Sequence, residues 1–397
     1  MACWHRTAAE FLDGHGGEVA FVSTNSICQG QQVTPLWKPI FDMGYRINFA
    51  HRSFVWNTES EHQANVYCVV TSFSHYERAT KRAWDYTDRG VVESQPHQLN
   101  GYLADAPAVF IERRSRPLSD VPEMQAGGKP TGKALSFGRE EREAMVSRDP
   151  EIATVIRPFS MGEEFVKGID RFCLWMPDGV PAELGENDDI SERLGAVAEA
   201  RAASTKAATR AKAATPWRFD EVKYDGDGSY IGIPKVTSGR RRYVPFGFVE
   251  DGMIPGDMLY FVSTDSLFVF GVLMSQSHNA WMRTVAGRLG LGYRYANTIV
   301  YNNFVFPEAT PSQREEIERR AQAVLDARGL YPDASLAKLY DPENESKYPE
   351  LTEAHRALDK AVERAYGWDF EGLSWDEKET RIVSVLFDLY SQKVGAI

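Results

Sequence analysis

The chain has 397 residues, of which 43% are hydrophobic and 25% charged, and a formal net charge of -11. That length supports two or three domains with cores of their own, and the composition excludes a disordered or fibrous class. No apolar run approaches bilayer length, the N-terminus lacks a signal-peptide pattern, and Cys3, Cys28, Cys68 and Cys173 lack the spacing of a zinc or disulfide framework.

Residues 2–13 predict a short helix ending at the Gly14-His15-Gly16-Gly17 turn. Val19–Ile27 is a complete apolar strand that runs through Cys28-Gln-Gly30 into a helix from about 34 to 43, stopped by Gly44. Ile47–Ala50 and Val66–Phe73 predict two more strands, joined by a polar loop carrying Phe54 and Trp56. This order fits the trailing half of an open α/β sheet whose last two strands pair antiparallel. Val19–Ile27 reads as the fifth strand of a methyltransferase sheet, with nothing ahead of it suited to bind a cofactor.

Residues 74–135, with Pro96, Pro107, Pro117, Pro122 and Pro130, predict a wrap-around connection. From about 136 to 305, short strands alternate with turns such as Asp225-Gly-Asp-Gly228 and with a basic, Ala-rich helix near 190–214. The remainder is helical. Thr310-Pro-Ser-Gln313 is a capping box, Thr352 opens a second helix, and Ser374 with Glu377 caps a third. Their apolar stripes mark them as packing helices.

Net charge argues weakly against nucleic acid but says little about one face. Three basic clusters fall in the middle third: Arg193 to Arg218, including Arg210 and Lys212; Lys235 with Arg240, Arg241 and Arg242; and Arg283, Arg288 and Arg294. This third is the expected polyanion-binding surface; the competing reading is a set of solvated charged faces.

Methyl transfer to adenine N6 requires a glycine-rich turn for S-adenosylmethionine, an Asn/Asp/Ser-Pro-Pro-aromatic turn and an aromatic face for the extruded base. The chain contains no Pro-Pro dipeptide, and Gly14–Gly17 and Gly290-Leu-Gly292 do not follow a first strand in a βαβ unit. The aromatic face is available in Trp56 or Phe54. No nucleophile elbow, metal motif or phosphate loop is present, and the histidines are scattered singly.

Gly17 to Gly30, Ile47 to Trp56, Arg171-Phe-Cys-Leu-Trp175, Pro234 to Pro245 and Ser277-His-Asn-Ala-Trp-Met282 occur in that order. They are followed by Gly287-Arg-Leu-Gly-Leu-Gly-Tyr-Arg-Tyr295, Val300 to Phe304 and Ser335 to Asp341. Together they resemble the MmeI-like DNA adenine methyltransferases, the methylating part of single-chain type II restriction–modification enzymes. The resemblance implies α/β plus α+β architecture: the trailing half of a Rossmann-like methyltransferase sheet with its connector (1–125), a mixed α+β target recognition domain (126–305) and a C-terminal helical region (306–397). It implies a nuclease domain, a spacer and the catalytic Asn-Pro-Pro-Phe turn upstream of this chain.

By the same resemblance Trp56, then Phe54, stacks on the flipped adenine. The positions that choose a base pair fall on Gly290 and Gly292, which have no side chain to read with. Either that base pair is unread, or Arg288 and Arg294 read it, while Arg240–Arg242 and the basic helix with Arg210 and Lys212 hold phosphates. Duplex DNA is the implied partner, in the cytoplasm and away from membranes. S-adenosylmethionine is expected for the complete enzyme, and neither cofactor nor metal for this chain alone. Two functions are therefore expected: an inactive methylase fragment, or a specificity module working with a separate catalytic half. In either, a catalytic half or a second copy would cover the cut sheet.

Overall fold

The computed structural model describes residues 2–56, 66–87, 90–249 and 252–395. The N-terminal part comprises α1 (Ala2–Leu12), β1 (Val19–Thr24), α2 (Val33–Asp42), β2 (Arg46–Trp56), β3 (Val66–Ser74), β4 (Arg82–Thr87) and β5 (Gly90–Ser94). They form one sheet in the order β1-β3-β2-β4-β5. β2 and β3 pair antiparallel as expected, and β2 with β4 is the parallel neighbour. Trp37 from α2 is fully buried beneath the sheet, and its Nε1 donates to the Ile27 carbonyl at 3.0 Å. Tyr45 fastens α1 by donating its hydroxyl to the Ala9 carbonyl at 2.7 Å.

Three expectations change here. β1 ends at Thr24, and Asn25–Cys28 form a 3-10 turn that leads toward α2. β2 does not stop at Ala50 but continues to Trp56, with Phe54 opposite Cys68 and Trp56 opposite Val66. Phe54 and Trp56 therefore stand on a strand rather than in a loop, because their aromatic and β-branched surroundings favour a pleated surface. The predicted connection at 74–135 begins with two strands. Glu93 of β5 stands opposite Trp84 and pairs diagonally with Arg82 of β4, so the charges that suggested a loop stabilise a hairpin. From 95 to 123 the chain is free of helix and strand and wraps the core, tied by Arg114 N to Thr298 O and Leu118 N to Asn302 O.

The middle part opens with β6 (Met124–Ala126), β7 (Ser136–Gly138), α3 (Arg139–Arg148), β8 (Ile156–Ser160), α4 (Gly162–Lys167) and β9 (Arg171–Leu174). Then come α5 (Asp188–Ala202), α6 (Ala207–Ala211), β10 (Tyr230–Pro234), β11 (Val236–Thr237), β12 (Gly247–Val249), β13 (Ile254–Pro255) and β14 (Leu259–Val262). It closes with α7 (Leu267–Met274), α8 (Gln276–Val285), β15 (Gly287–Leu289) and β16 (Gly292–Arg294). Three small sheets result, ordered β12-β10-β14-β6, β13-β8-β9-β7 and β11-β16-β15. The basic helix is broken between α5 and α6. α7 is apolar all round and is buried along Phe268–Met274.

The C-terminal part is α9 (Pro311–Gly329), α10 (Leu336–Leu339), α11 (Pro349–Ala365) and α12 (Trp375–Val394). Both capping boxes form, at Thr310 with Gln313 and at Ser374 with Glu377. The second long helix starts at Pro349 rather than Thr352, since proline at the first helical position needs no hydrogen-bond partner. One core joins the N-terminal sheet, α7, α8 and these helices; a second lies between 135 and 261. Among the described residues no helix is long and apolar enough to cross a membrane.

Candidate nucleic-acid interface

β2 and β4 build a continuous row of aromatic rings. His51 stacks on Trp84 with centroids 4.4 Å apart, Phe54 lies 5.0 Å from Tyr86, and Trp56 lies 6.3 Å from Phe54. The His51 ring shares a 2.8 Å hydrogen bond with the Tyr86 hydroxyl, and burial lowers its pKa, which favours the neutral ring. Arg82 sits 4.8 Å above Trp84 while pairing with Glu93. Phe54 packs within this row. Trp56 and Tyr86, by contrast, remain 49% and 43% exposed. They flank Phe54 and leave two aromatic rings partly open to solvent.

Tyr86 and Trp84 escaped the sequence reading because they fell in the presumed connection. The signal was the alternation in Arg82-Ala-Trp-Asp-Tyr-Thr87, followed within a few residues by Gly90-Val-Val-Glu-Ser94.

A polar cleft of about 310 Å3 joins this sheet to the β15–β16 hairpin. Arg52 and Tyr86 line it from the sheet, and Arg288 and Tyr293 from the hairpin. Arg52 is held by Asp85 at 2.6 Å and by the Leu103 carbonyl at 2.9 Å. Arg288 folds over Tyr293 with its guanidinium 4.2 Å from the ring centre, and donates to that hydroxyl at 2.8 Å. Arg294 is exposed and has no ion-pair partner among the described residues.

The two glycines at the expected base-choosing positions have backbone reasons. Gly290 and Leu291 form the two-residue turn of the hairpin, and only Gly290 has positive φ, at 59°, the pattern of a type II′ turn. At Gly292 a Cβ would lie 2.6 Å from the Thr237 carbonyl oxygen of β11, so the strands approach too closely for a side chain. The hairpin tip instead presents Leu289 and Leu291, 59% and 65% exposed.

The other predicted cations divide into groups. Arg240 and Arg242 reach the C-terminal part, pairing with Glu343 at 2.5 Å and Glu345 at 3.0 Å. Arg241 is partly buried beside Thr237. This segment adjoins the hairpin, because Gly239 packs against the Leu291 carbonyl. Arg210 closes on the Ser204 and Thr205 carbonyls, and Lys212 faces Asp220. Both stand with α5, whose Ile190 and Val197 belong to the second core.

In the same cluster Arg201 is 1% exposed and donates to the carbonyls of Thr131, Lys212, Thr215 and Arg218. It staples the broken helix and faces no solvent. Arg283 is likewise structural, gripping Glu379 with two bonds of 2.7 and 2.8 Å.

Among the described residues the glycine turns do not form a cradle for S-adenosylmethionine. Gly14 and Gly16 border open space in the turn before β1, and Gly290 and Gly292 serve the hairpin. Among the described residues no group of His, Cys, Asp and Glu is arranged to hold a metal.

Residues 1–85 match the family described as MmeI, DNA-methyltransferase domain; 105–308 match MmeI, target recognition domain; 309–397 match MmeI, C-terminal domain. DNA methyltransferase A of Bacillus subtilis (strain 168) is 33% identical over 394 residues, 99% of this chain and 43% of that protein. A structure of the type IIL restriction–modification enzyme MmeI in complex with DNA superposes with a TM-score of 0.91 at 35% identity. That match covers 99% of this chain and 52% of the other, so the chain spans about half the length of these relatives.

Proposed function

The chain belongs to the MmeI family, and from that premise we propose that it is the DNA-reading part of an adenine-N6 methylase. It binds duplex DNA in the cytoplasm and does not transfer a methyl group by itself. The observation that supports this reading is the cleft that runs from Tyr86, one member of the aromatic row, to Arg288 and Tyr293 of the β15–β16 hairpin. A base drawn out of the stack would meet Tyr86 on one wall, with Phe54 and Trp56 continuing the row beyond the cleft. The hairpin on the other wall would sit in the duplex groove, with Arg288 and Arg294 aimed at base edges and Arg240–Arg242 at phosphates. Arg210 and Lys212 are further phosphate contacts in this scheme and, like Arg240 and Arg242, would exchange present partners for phosphate.

S-adenosylmethionine belongs to the complete enzyme, whose cofactor turn and Pro-Pro turn have no counterpart in these residues. Selection from a pool of random duplexes tests the reading. One asymmetric motif containing an adenine should emerge; binding with no enriched motif would refute it.

A second reading, that of a specificity module completed by a separate catalytic half, is favoured by the free side of β1. Among the described residues β1 pairs with β3 alone, and Val22, Trp4 and Phe11 are exposed nearby. An unpaired apolar edge is a template for a partner strand. Mixing the chain with the preceding methylase segment of a relative should give a stable complex and transfer of labelled methyl groups to DNA. Two components that migrate separately would exclude it.

A further inference from the structure

Helices α9, α11 and α12 enclose an open, polar groove of about 700 Å3 that shares only Arg242 with the proposed recognition site. Six cations line it: Arg242, Arg320, Arg356, Lys360, Arg364 and Lys378. Three are already held, Arg242 by Glu345, Arg320 by Glu316 and Lys378 by Glu363. Arg356, Lys360 and Arg364 are exposed and have no ion-pair partner among the described residues.

These three stand four residues apart on α11 and so form one stripe along the helix. A solvated helix face normally alternates sign at this spacing, as Lys38 with Asp42 and Lys167 with Glu163 do here. Like charges at the same spacing weaken a helix. Only Arg364, in the last turn, gains from the helix dipole. The surrounding chain offers anions in excess, with 18 acidic against 12 basic residues between 309 and 397. Glu316, Glu353 and Asp359 also line the groove, but Glu316 is held by Arg319 and Arg320 and Asp359 is buried against Tyr243 and Gln276. Among the described residues the three exposed cations therefore face Glu353 alone.

The groove also lies next to the segment that packs on the hairpin. Arg242 lies 5.1 Å over Trp375 on the groove wall, three residues from Gly239, which touches the Leu291 carbonyl at the hairpin tip. We propose that Arg356, Lys360 and Arg364 form a second DNA-backbone site, which holds the duplex flanking the recognition sequence. At 1.5 Å per residue the stripe is about 12 Å long, roughly the span of three to four phosphates on one strand. Its contacts position the duplex and read no base. The inference rests on the reading of the hairpin as a duplex-binding element.

The test uses the full chain and a duplex extending well beyond the selected motif. Replacing all three residues by Gln should make the dependence of log affinity on log salt shallower by about two to three. It should weaken binding at least tenfold at moderate salt and leave the selected motif unchanged. In the unmodified chain, duplex should shield Lys360 from acetylation while Lys38 stays reactive, a readout independent of any variant. Native binding with an unchanged slope in the variant and no shielding of Lys360 would overturn the inference alone. Failure of the native chain to bind duplex would instead overturn the hairpin reading beneath it. Shielding by inorganic phosphate but not by duplex would assign the groove to a small anion and overturn the proposal.

Discussion

Gly290 and Gly292 show what a residue's identity leaves unsaid. In the sequence they read as recognition positions emptied of function; in the fold one sets a type II′ turn and the other admits β11. Gly290→Ala should cost about 1 kcal/mol from the left-handed backbone alone. Gly292→Ala should cost about 1–3 kcal/mol, since the Thr237 carbonyl must move. Urea melts of both variants check this order. Arg201 carries a similar lesson, because it was counted as surface charge and binds four carbonyls in the interior. Arg201→Ala should lose about 3 kcal/mol or more by stranding those acceptors.

Three deeply buried groups contribute most to the response to pH. Burial raises the Asp359 carboxyl to about 7, so its neutral form is favoured in the fold and acid stabilises it between about 7 and the ordinary carboxylate range. Burial lowers His278 to about 3 and His355 well below its usual value. Both are held neutral, and the stability this carries is present above about 6.5 and lost as the unfolded chain takes up protons below it. Two protons outweigh one. The protein should therefore lose stability from pH 6.5 to 5, and His355→Gln should make that dependence shallower in melts across the range.

At the scale of elements, what was legible was what announces itself locally. The two capping boxes fell where Thr310 and Ser374 placed them, and the antiparallel pairing of β2 with β3 followed from their apolar runs. β4 and β5 were not legible, because Arg82 and Glu93 look like loop charges until the strands bring them together. The aromatic row was hidden with them. Trp56→Ala or Tyr86→Ala should reduce the fluorescence rise of a duplex carrying 2-aminopurine at the target adenine, with little change in affinity. An undiminished rise in both variants would remove the row from base binding.

The straps from Arg240 and Arg242 to Glu343 and Glu345 belong to this scale as well. Exposed pairs of this kind are worth less than about 1 kcal/mol. Glu343→Gln with Glu345→Gln should leave melting nearly unchanged and tighten duplex binding at low salt, by releasing two arginines toward phosphate. Filter binding at two salt concentrations reads both effects.

Across the whole molecule, one core ties the N-terminal sheet to the C-terminal helices, with Tyr102 of the wrapping segment against Phe387 of α12 at 5.6 Å. Charge patterning points to the middle third for polyanion binding, whereas the proposed surface also draws on the C-terminal helices. Residues far apart in sequence, Arg242 and Lys360 among them, line a single groove. No linear pattern reports such a juxtaposition.

The central claim is that the β15–β16 hairpin reads duplex DNA. Equilibrium binding of the native chain and of an Arg288→Ala, Arg294→Ala variant, to the selected duplex and a scrambled one at fixed salt, tests it most directly. The native chain should prefer the selected duplex by about a thousandfold or more. The variant should bind both duplexes with similar, weaker affinity. Equal native affinity for the two duplexes, or a variant that keeps the full preference, would contradict the account.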